Sequence, residues 1–194
     1  MKYWTIITLI FTTACGQKIN NSEARRLEQA RALIKKIGFQ QLPFSYDMAK
    51  LNLDSRHSVD RNSNDTLFFD DFNGTVGGVL PDTSDYFGFI YYKVGDSIYP
   101  FLVTVDKKGK IVDRQGIGIG NCNGLLTVDV DSCLDRVTIN KELQIALLYK
   151  LRGSVQTKDS IPKTVKLCNQ IIGSGRITKN GKIEITKGDL QMCE

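Results

Sequence analysis

The sequence predicts a mainly β fold: an antiparallel, hairpin-rich sheet or sandwich with one N-terminal α-helix. Three observations carry this. From residue 86 onward, β-branched and aromatic residues fall in short runs divided by turn residues. Three strand–polar turn–strand units recur near 104–111, 138–145 and 178–183, closing on Lys110-Ile111, Gln144-Ile145 and Lys182-Ile183. Apolar residues at helical spacing occur near the N-terminus, where Leu27, Ala30, Ile34 and Ile37 share a stripe.

That helix opens at Asn21 or Ser22 as N-cap and closes at Gly38 in the C′ position, with Pro43 preventing resumption. Leu33 sits at the margin of its apolar stripe, and Arg25, Glu28, Arg31, Lys35 and Lys36 form the opposite side, read first as a solvated face and second as a contact with lipid headgroups. Residues 45–85 are polar and turn-rich, and a structureless loop of that length is uncommon in a compact domain, so short strands are expected at 67–69 and 75–80. Residues 86–92 form an aromatic strand. Residues 98–105 are apolar almost without interruption, as in a strand covered on both faces. A hairpin loop through Gly109 leads to a return strand over 110–118. Leu126, Val128 and Val130 alternate with Thr127, Asp129 and Asp131 in a half-buried strand, and Val137-Thr138-Ile139 follows. Residues 140–153 fit a helix by their end signals. The recurrence aligns Ile145 with Ile111 and Ile183, which decides for a strand, with Ile145, Leu147, Tyr149 and Leu151 on one face. Asn180-Gly181 is the signal for a type I′ hairpin. The recurrences are spaced by 34 and 40 residues, so they reflect shared hairpin chemistry and no strict solenoid period.

The first residues give an address. Lys2 supplies a positive charge, and residues 3–11 form a nine-residue apolar run. A membrane span needs about 20 such residues, so this run reads as the core of a signal peptide. Thr12, Thr13 and Ala14 then precede Cys15. Small residues running into a cysteine behind such a core resemble the lipobox of bacterial lipoproteins, with Thr12 standing where that family usually has Leu. The resemblance implies diacylglyceryl transfer to the Cys15 thiol, cleavage before Cys15 and acylation of the new N-terminus. The expected organisation is a signal peptide at 1–14, a lipidated tether at 15–21 and a single β-rich domain at 22–194. Residues 16–21 reach at most about 20 Å, which would hold the domain close to the bilayer. Gly16 after the cysteine, where Asp would signal inner-membrane retention, points to the outer membrane, and a tether without the acidic run that resembles surface-export signals favours the periplasmic face. The repeated turn-then-Lys-Ile hairpins behind a lipobox also resemble small envelope lipoproteins of Bacteroidota, a resemblance that carries no activity and no site residues.

Four cysteines remain: Cys122, Cys133, Cys168 and Cys193. An even number in an exported chain reads as two disulfides, and of the three possible connectivities the sequential one is preferred. A zinc site is disfavoured by the spacing, since no two cysteines lie two to four residues apart and the single His57 is distant. No metal and no cofactor are expected.

The formal charge is +5, one unit of it on Lys2. No nucleic-acid motif is present, and an envelope address excludes nucleic acid as a partner. His57 stands in a polar stretch without the surroundings of a catalytic triad. Asp129, Asp131 and Asp135 faintly resemble a calcium loop but lack its glycine, and Asn140 replaces the closing glutamate. Asp70-Asp71-Phe72-Asn73-Gly74 reads as a turn. Gly116-Ile117-Gly118-Ile119-Gly120 lacks the following helix and lysine of a phosphate loop, so its glycines serve packing. Tyr86, Tyr91, Tyr92, Tyr99 and Phe101 serve core and cross-strand pairing in preference to a sugar platform.

The expected function is therefore non-enzymatic: a lipid-anchored envelope protein that binds a partner protein or another envelope component. The alternatives are a module for small molecules or glycans, and a hydrolase working through paired carboxylates. An exposed apolar patch away from the anchor would favour a protein partner, and a concave aromatic pocket would favour a ligand. Replacing the anchoring thiol (Cys15→Ser) is expected to move the protein from the membrane fraction to the soluble fraction, and unchanged fractionation would reject the anchor.

Overall fold

A computed structural model describes residues 21–47, 57–58, 74–81, 83–94, 98–119, 122, 129–157 and 163–193. The segment read as a signal peptide, Cys15, residues 16–20, the strand expected at 67–69 and the cluster at 70–73 lie outside the described residues. The fold is mainly β, with two antiparallel sheets and one helix among the described residues. Helix α1 (Asn21–Ile37) is followed by β1 (Phe44–Asp47), β2 (His57–Ser58), β3 (Gly74–Val79), β4 (Tyr86–Val94), β5 (Ile98–Asp106) and β6 (Ile111–Gly116). Then come β7 (Asp129–Ile139), β8 (Gln144–Gln156), β9 (Thr164–Ile177), β10 (Ile183–Lys187) and β11 (Gln191–Met192). Strands β2 to β6 make a five-stranded meander. The second sheet has the order β1-β7-β8-β9-β10, with β11 also paired to β9.

The five-stranded sheet is the middle of three layers. Along β4, Tyr86, Ile90 and Tyr92 join a core shared with Phe44 and Tyr46 of β1, Val137 and Ile139 of β7, and Ile145 and Leu147 of β8. The alternate residues Phe87, Phe89 and Tyr91 join Val103 and Val105 in a second core against Ala30 and Leu33 of α1. The near-continuous apolar character of β5 is thereby explained: it is buried on both faces. Leu33, expected at the margin of the helix stripe, is almost fully buried and packs with Ala30 at the sheet. Gly38 caps the helix at φ +76°, its N–H donating to the Ile34 carbonyl at 2.8 Å. The chain then pairs with β3 through Gln40 N–H and the Val79 carbonyl at 2.7 Å.

Residues 140–153 form no helix: a turn at 140–143 leads into strand β8 from Gln144, as the recurrence implied, with Ile145, Leu147, Tyr149 and Leu151 buried. Two expectations need correction. Of the strand read over 126–131, residues 126–128 lie outside the described residues, and the rest is continuous with 137–139 in the single strand β7, whose Val130 is exposed. The β9–β10 turn is not type I′, because that form needs positive φ at two residues and only Gly181 has it. All three recurrent units instead close the same way. Asp106, Asn140 and Thr178 each donate a backbone N–H to the residue four positions on and accept one from the residue three positions on. The third loop residue is left-handed: Gly109 at φ 92°, Leu143 at 58° and Gly181 at 84°. This is a three-residue loop with a bulge, for which glycine is the ordinary occupant. Leu143 occupies that conformation without being glycine, and its side chain packs against the inter-sheet core. Asp106 and Asn140 reinforce their turns, each accepting two backbone N–H bonds through Oδ1.

Polar contacts join the sheets along the β10 edge. The buried Thr104 hydroxyl donates to the Gly181 carbonyl at 2.6 Å, Ile183 N–H donates to Asp113 at 2.9 Å, and the Lys187 ammonium donates to the Gly118 carbonyl at 2.9 Å. Ile117 is fully buried between the sheets, and Gly118 passes close to Pro100, so these two residues of the glycine-rich stretch serve packing.

The disulfides join Cys122 to Cys133 and Cys168 to Cys193, with Cα separations of 5.7 and 5.2 Å. Loop closures of this size each stabilise by about 3 kcal/mol on the chain-entropy argument. Cys133 pairs with Leu151 and Cys168 with Arg152, so the two bridges grip neighbouring rows of the β7–β8–β9 ribbon.

The turn at Gly109 is wedged against the helix. A Cβ there would collide with the Glu23 carbonyl, and Arg26 already donates to the Gly109 carbonyl at 3.3 Å. Gly109→Ala combines that collision with a left-handed penalty of about 1–2 kcal/mol. It is expected to lower unfolding stability by at least about 2 kcal/mol, measured by urea denaturation, whereas an unchanged midpoint would show that the helix gives way freely.

Candidate functional site

The outer face of the six-stranded sheet carries a groove of about 530 Å³. Its shape follows from strand register. Thr138, Ala146, Ser174 and Thr186 stand opposite one another across β7, β8, β9 and β10, forming a row of small side chains transverse to the strands. On one flank runs the row Gln144, Arg176, Glu184, and on the other Arg136, Leu148, Ile172. A low row between two tall rows is a trough. Its floor offers hydroxyls that both donate and accept.

The upper flank is held in place. Asn140 Nδ2 donates to Gln144 Oε1 at 3.1 Å. Arg176 Nε donates to Glu184 Oε2 at 2.6 Å, an exposed ion pair whose two charges cancel and which contributes little stability. On the lower flank, Arg136 pairs with Asp47 of β1 at 3.4 Å. The groove therefore suits an uncharged polar or mixed chain better than a strongly charged ligand. Beside it, Ile172 is 57% exposed, whereas the exposed Met192 pairs with Asn169 and so has the register of the sheet's other face.

A second constellation lies inside the sandwich. Asp135 is fully buried and stands opposite Tyr149 across β7 and β8. Tyr46 of β1 stacks on Tyr92 of β4, across the sheet interface, with ring centroids 5.2 Å apart. Gly77, at the bulge of β3, leaves the space that the Tyr92 ring fills. Burial drives the Tyr46 hydroxyl well above the ordinary tyrosine range, and the Asp135 charge adds to it. Burial first and Asp135 second raise Tyr149 in the same direction. These groups are locked in packed rows away from the groove, so they act on stability.

The other sequence candidates are dispersed. Asp129 and Asp131 are exposed on β7 while Asp135 of the same strand is buried, so they do not assemble a calcium loop or a carboxylate pair. Among the described residues there is no cluster of three metal-ligating side chains. His57, read as lying in a polar loop, forms the short strand β2 and pairs with Val76. Tyr86, Tyr91 and Tyr92 are buried in the two cores, and Tyr99 and Phe101 are half-buried, so they build no aromatic platform. The groove residues were not singled out by sequence reading. Their signal, small side chains at 138, 146, 174 and 186, becomes a row only once the register of four strands is known.

A tyrosine held neutral in the folded state stabilises the fold fully below its unfolded pKa near 10, and that contribution is lost as pH rises toward the folded value. Stability is expected to fall above about pH 10, and Tyr46→Phe is expected to flatten that fall, as followed by urea denaturation at stepped alkaline pH. An equal slope in the variant would mean that Tyr46 ionises freely. No family model matches the sequence, and neither a curated protein nor a solved structure is detectably similar to it.

Proposed function

We propose that this chain is an envelope lipoprotein, anchored through lipid on Cys15, whose sandwich serves as a non-catalytic module for binding a partner protein or another envelope component. The observation that carries the binding role is the outer face of the six-stranded sheet. There Leu148 and the exposed Ile172 stand side by side in the row next to a trough lined by hydroxyls and amides. An apolar patch rimmed by polar groups is the usual form of a protein-binding surface. It lies on the opposite side of the molecule from α1, the element nearest the anchoring residue in the chain. The lipobox supports the anchor, Gly16 supports the outer membrane, and the absence of an acidic run in the tether supports a periplasm-facing position.

A glycan-binding role is favoured by one feature, the transverse floor of Thr138, Ser174 and Thr186, which suits sugar hydroxyls. The two readings differ in which side chains matter. Ile172→Asp leaves the groove floor intact and removes the apolar anchor, whereas Ala146→Arg fills the floor. For a protein partner, chemical crosslinking in intact cells is expected to give a defined adduct with the wild type and at least about tenfold less with Ile172→Asp, since burying such a side chain contributes about 1.5–3 kcal/mol. If the adduct survives Ile172→Asp but is lost with Ala146→Arg and on adding envelope glycan, the glycan reading replaces it.

A further inference from the structure

We infer that the exposed face of α1, together with the adjoining β5–β6 turn, is a docking surface for anionic lipid headgroups. The helix packs Ala30 and Leu33 against the middle sheet, leaving Arg25, Arg31, Lys35 and Lys36 exposed on its far side, with Glu28 as the acidic residue among them. The β5–β6 turn enlarges this surface. Gly109 lies against the backbone of Glu23 and Leu27, which puts the exposed Lys108 and Lys110 beside the first turns of the helix. Phe39, one residue beyond the helix cap, is 48% exposed at the other end. Basic residues with a flanking aromatic are the pattern of a surface that settles at the headgroup level.

Chain length selects the occupant. The helix begins at Asn21, and residues 16–21 can span at most about 20 Å from the acylated cysteine. A slack tether thus lets the basic face enter the range where an anionic bilayer attracts it, about one Debye length of 8–10 Å. Each lysine or arginine at such a surface strengthens attachment about fivefold, so four or more are decisive for orientation. Docked in this way, the molecule turns the six-stranded sheet and its groove away from the membrane. This inference rests on the lipid anchor proposed above, and its test separates the two.

The lipidated protein is reconstituted into vesicles of phosphatidylcholine alone or mixed equally with phosphatidylglycerol. Acylation by a membrane-impermeant ester is then followed residue by residue by mass spectrometry. Lys35, Lys36, Lys108 and Lys110 are expected to react at least about threefold more slowly on the anionic vesicles, with Lys141 and Lys166 unchanged, and high salt is expected to remove the protection. Arg31→Glu, on the exposed helix face, is expected to weaken the protection without altering the fold. Equal rates on both vesicles with the protein still bound would overturn the docking face and leave the anchor standing. Slowing of Lys141 and Lys166 to the same extent would also overturn it. A chain without acyl mass that fails to associate with vesicles would overturn the anchor and the docking face together.

Discussion

Strands β4 and β5 are apolar on both faces, and that property forces the rest of the architecture. Phe87, Phe89, Tyr91, Val103 and Val105 look one way and Tyr86, Ile90, Tyr92 and Leu102 the other. Each large side chain gains about 1.5–3 kcal/mol from leaving water, so neither face can be left uncovered in a stable domain. One cover is the amphipathic helix, whose apolar stripe is wide enough for a sheet face but leaves its opposite side polar. The other is the six-stranded sheet, whose inner face carries Phe44, Val137, Ile139, Ile145 and Leu147. What remains outward is then fixed: a basic helix surface at one end of the stack and the outer face of the six-stranded sheet at the other.

Covering a sheet with a sheet leaves the problem of relative position, because apolar packing alone is weakly directional. Here directional bonds lie at one edge. Thr104 reaches into the β9–β10 turn, Asp113 accepts from Ile183, and Lys187 donates to Gly118. A buried donor without its acceptor costs about 1–3 kcal/mol, so a sideways shift that separates Thr104 from Gly181 is penalised even when apolar contact is kept. The stacked Tyr46 and Tyr92 rings add a second fixed point across the interface. The disulfides act within the six-stranded sheet, on β7 and β9, where the strands run into their exposed ends.

How far the sequence could be read follows from which interactions are local. The helix, its glycine cap, the doubly covered β5 and the alternation along β8 are recorded in neighbouring residues, and each was legible. The recurrence of turn chemistry was legible too, but its geometry was not. Asn-Gly suggests a two-residue turn, whereas Thr178 and Lys182 pair around three residues with only Gly181 left-handed. Leu143 shows why: its position takes the conformation of Gly109 and Gly181, so loop length and the flanking register determine it, and residue preference is overridden. The union of two expected strands into β7 was hidden for a similar reason, since a polar stretch such as Asp131-Ser132 reads as a break until β8 is seen beside it. The groove was least legible of all. Thr138, Ala146, Ser174 and Thr186 are unremarkable residues on four strands, and no local pattern marks them as one row.

The layer order ties the two outward surfaces together. A helix stacked on a sheet stacked on a sheet spans roughly 20 Å between the outermost backbone layers, so one surface cannot turn toward a membrane without turning the other away. A short tether alone would restrain distance and leave orientation free. The basic residues of the helix layer would supply the missing constraint, and the three packed layers would transmit it to the groove without any conformational change. In that arrangement the same apolar demand of β4 and β5 that organises the core also decides which face is available for a partner. The restricted height and fixed aspect would favour partners arriving from the aqueous side, and the apolar pair Leu148 and Ile172 would meet them beside the groove.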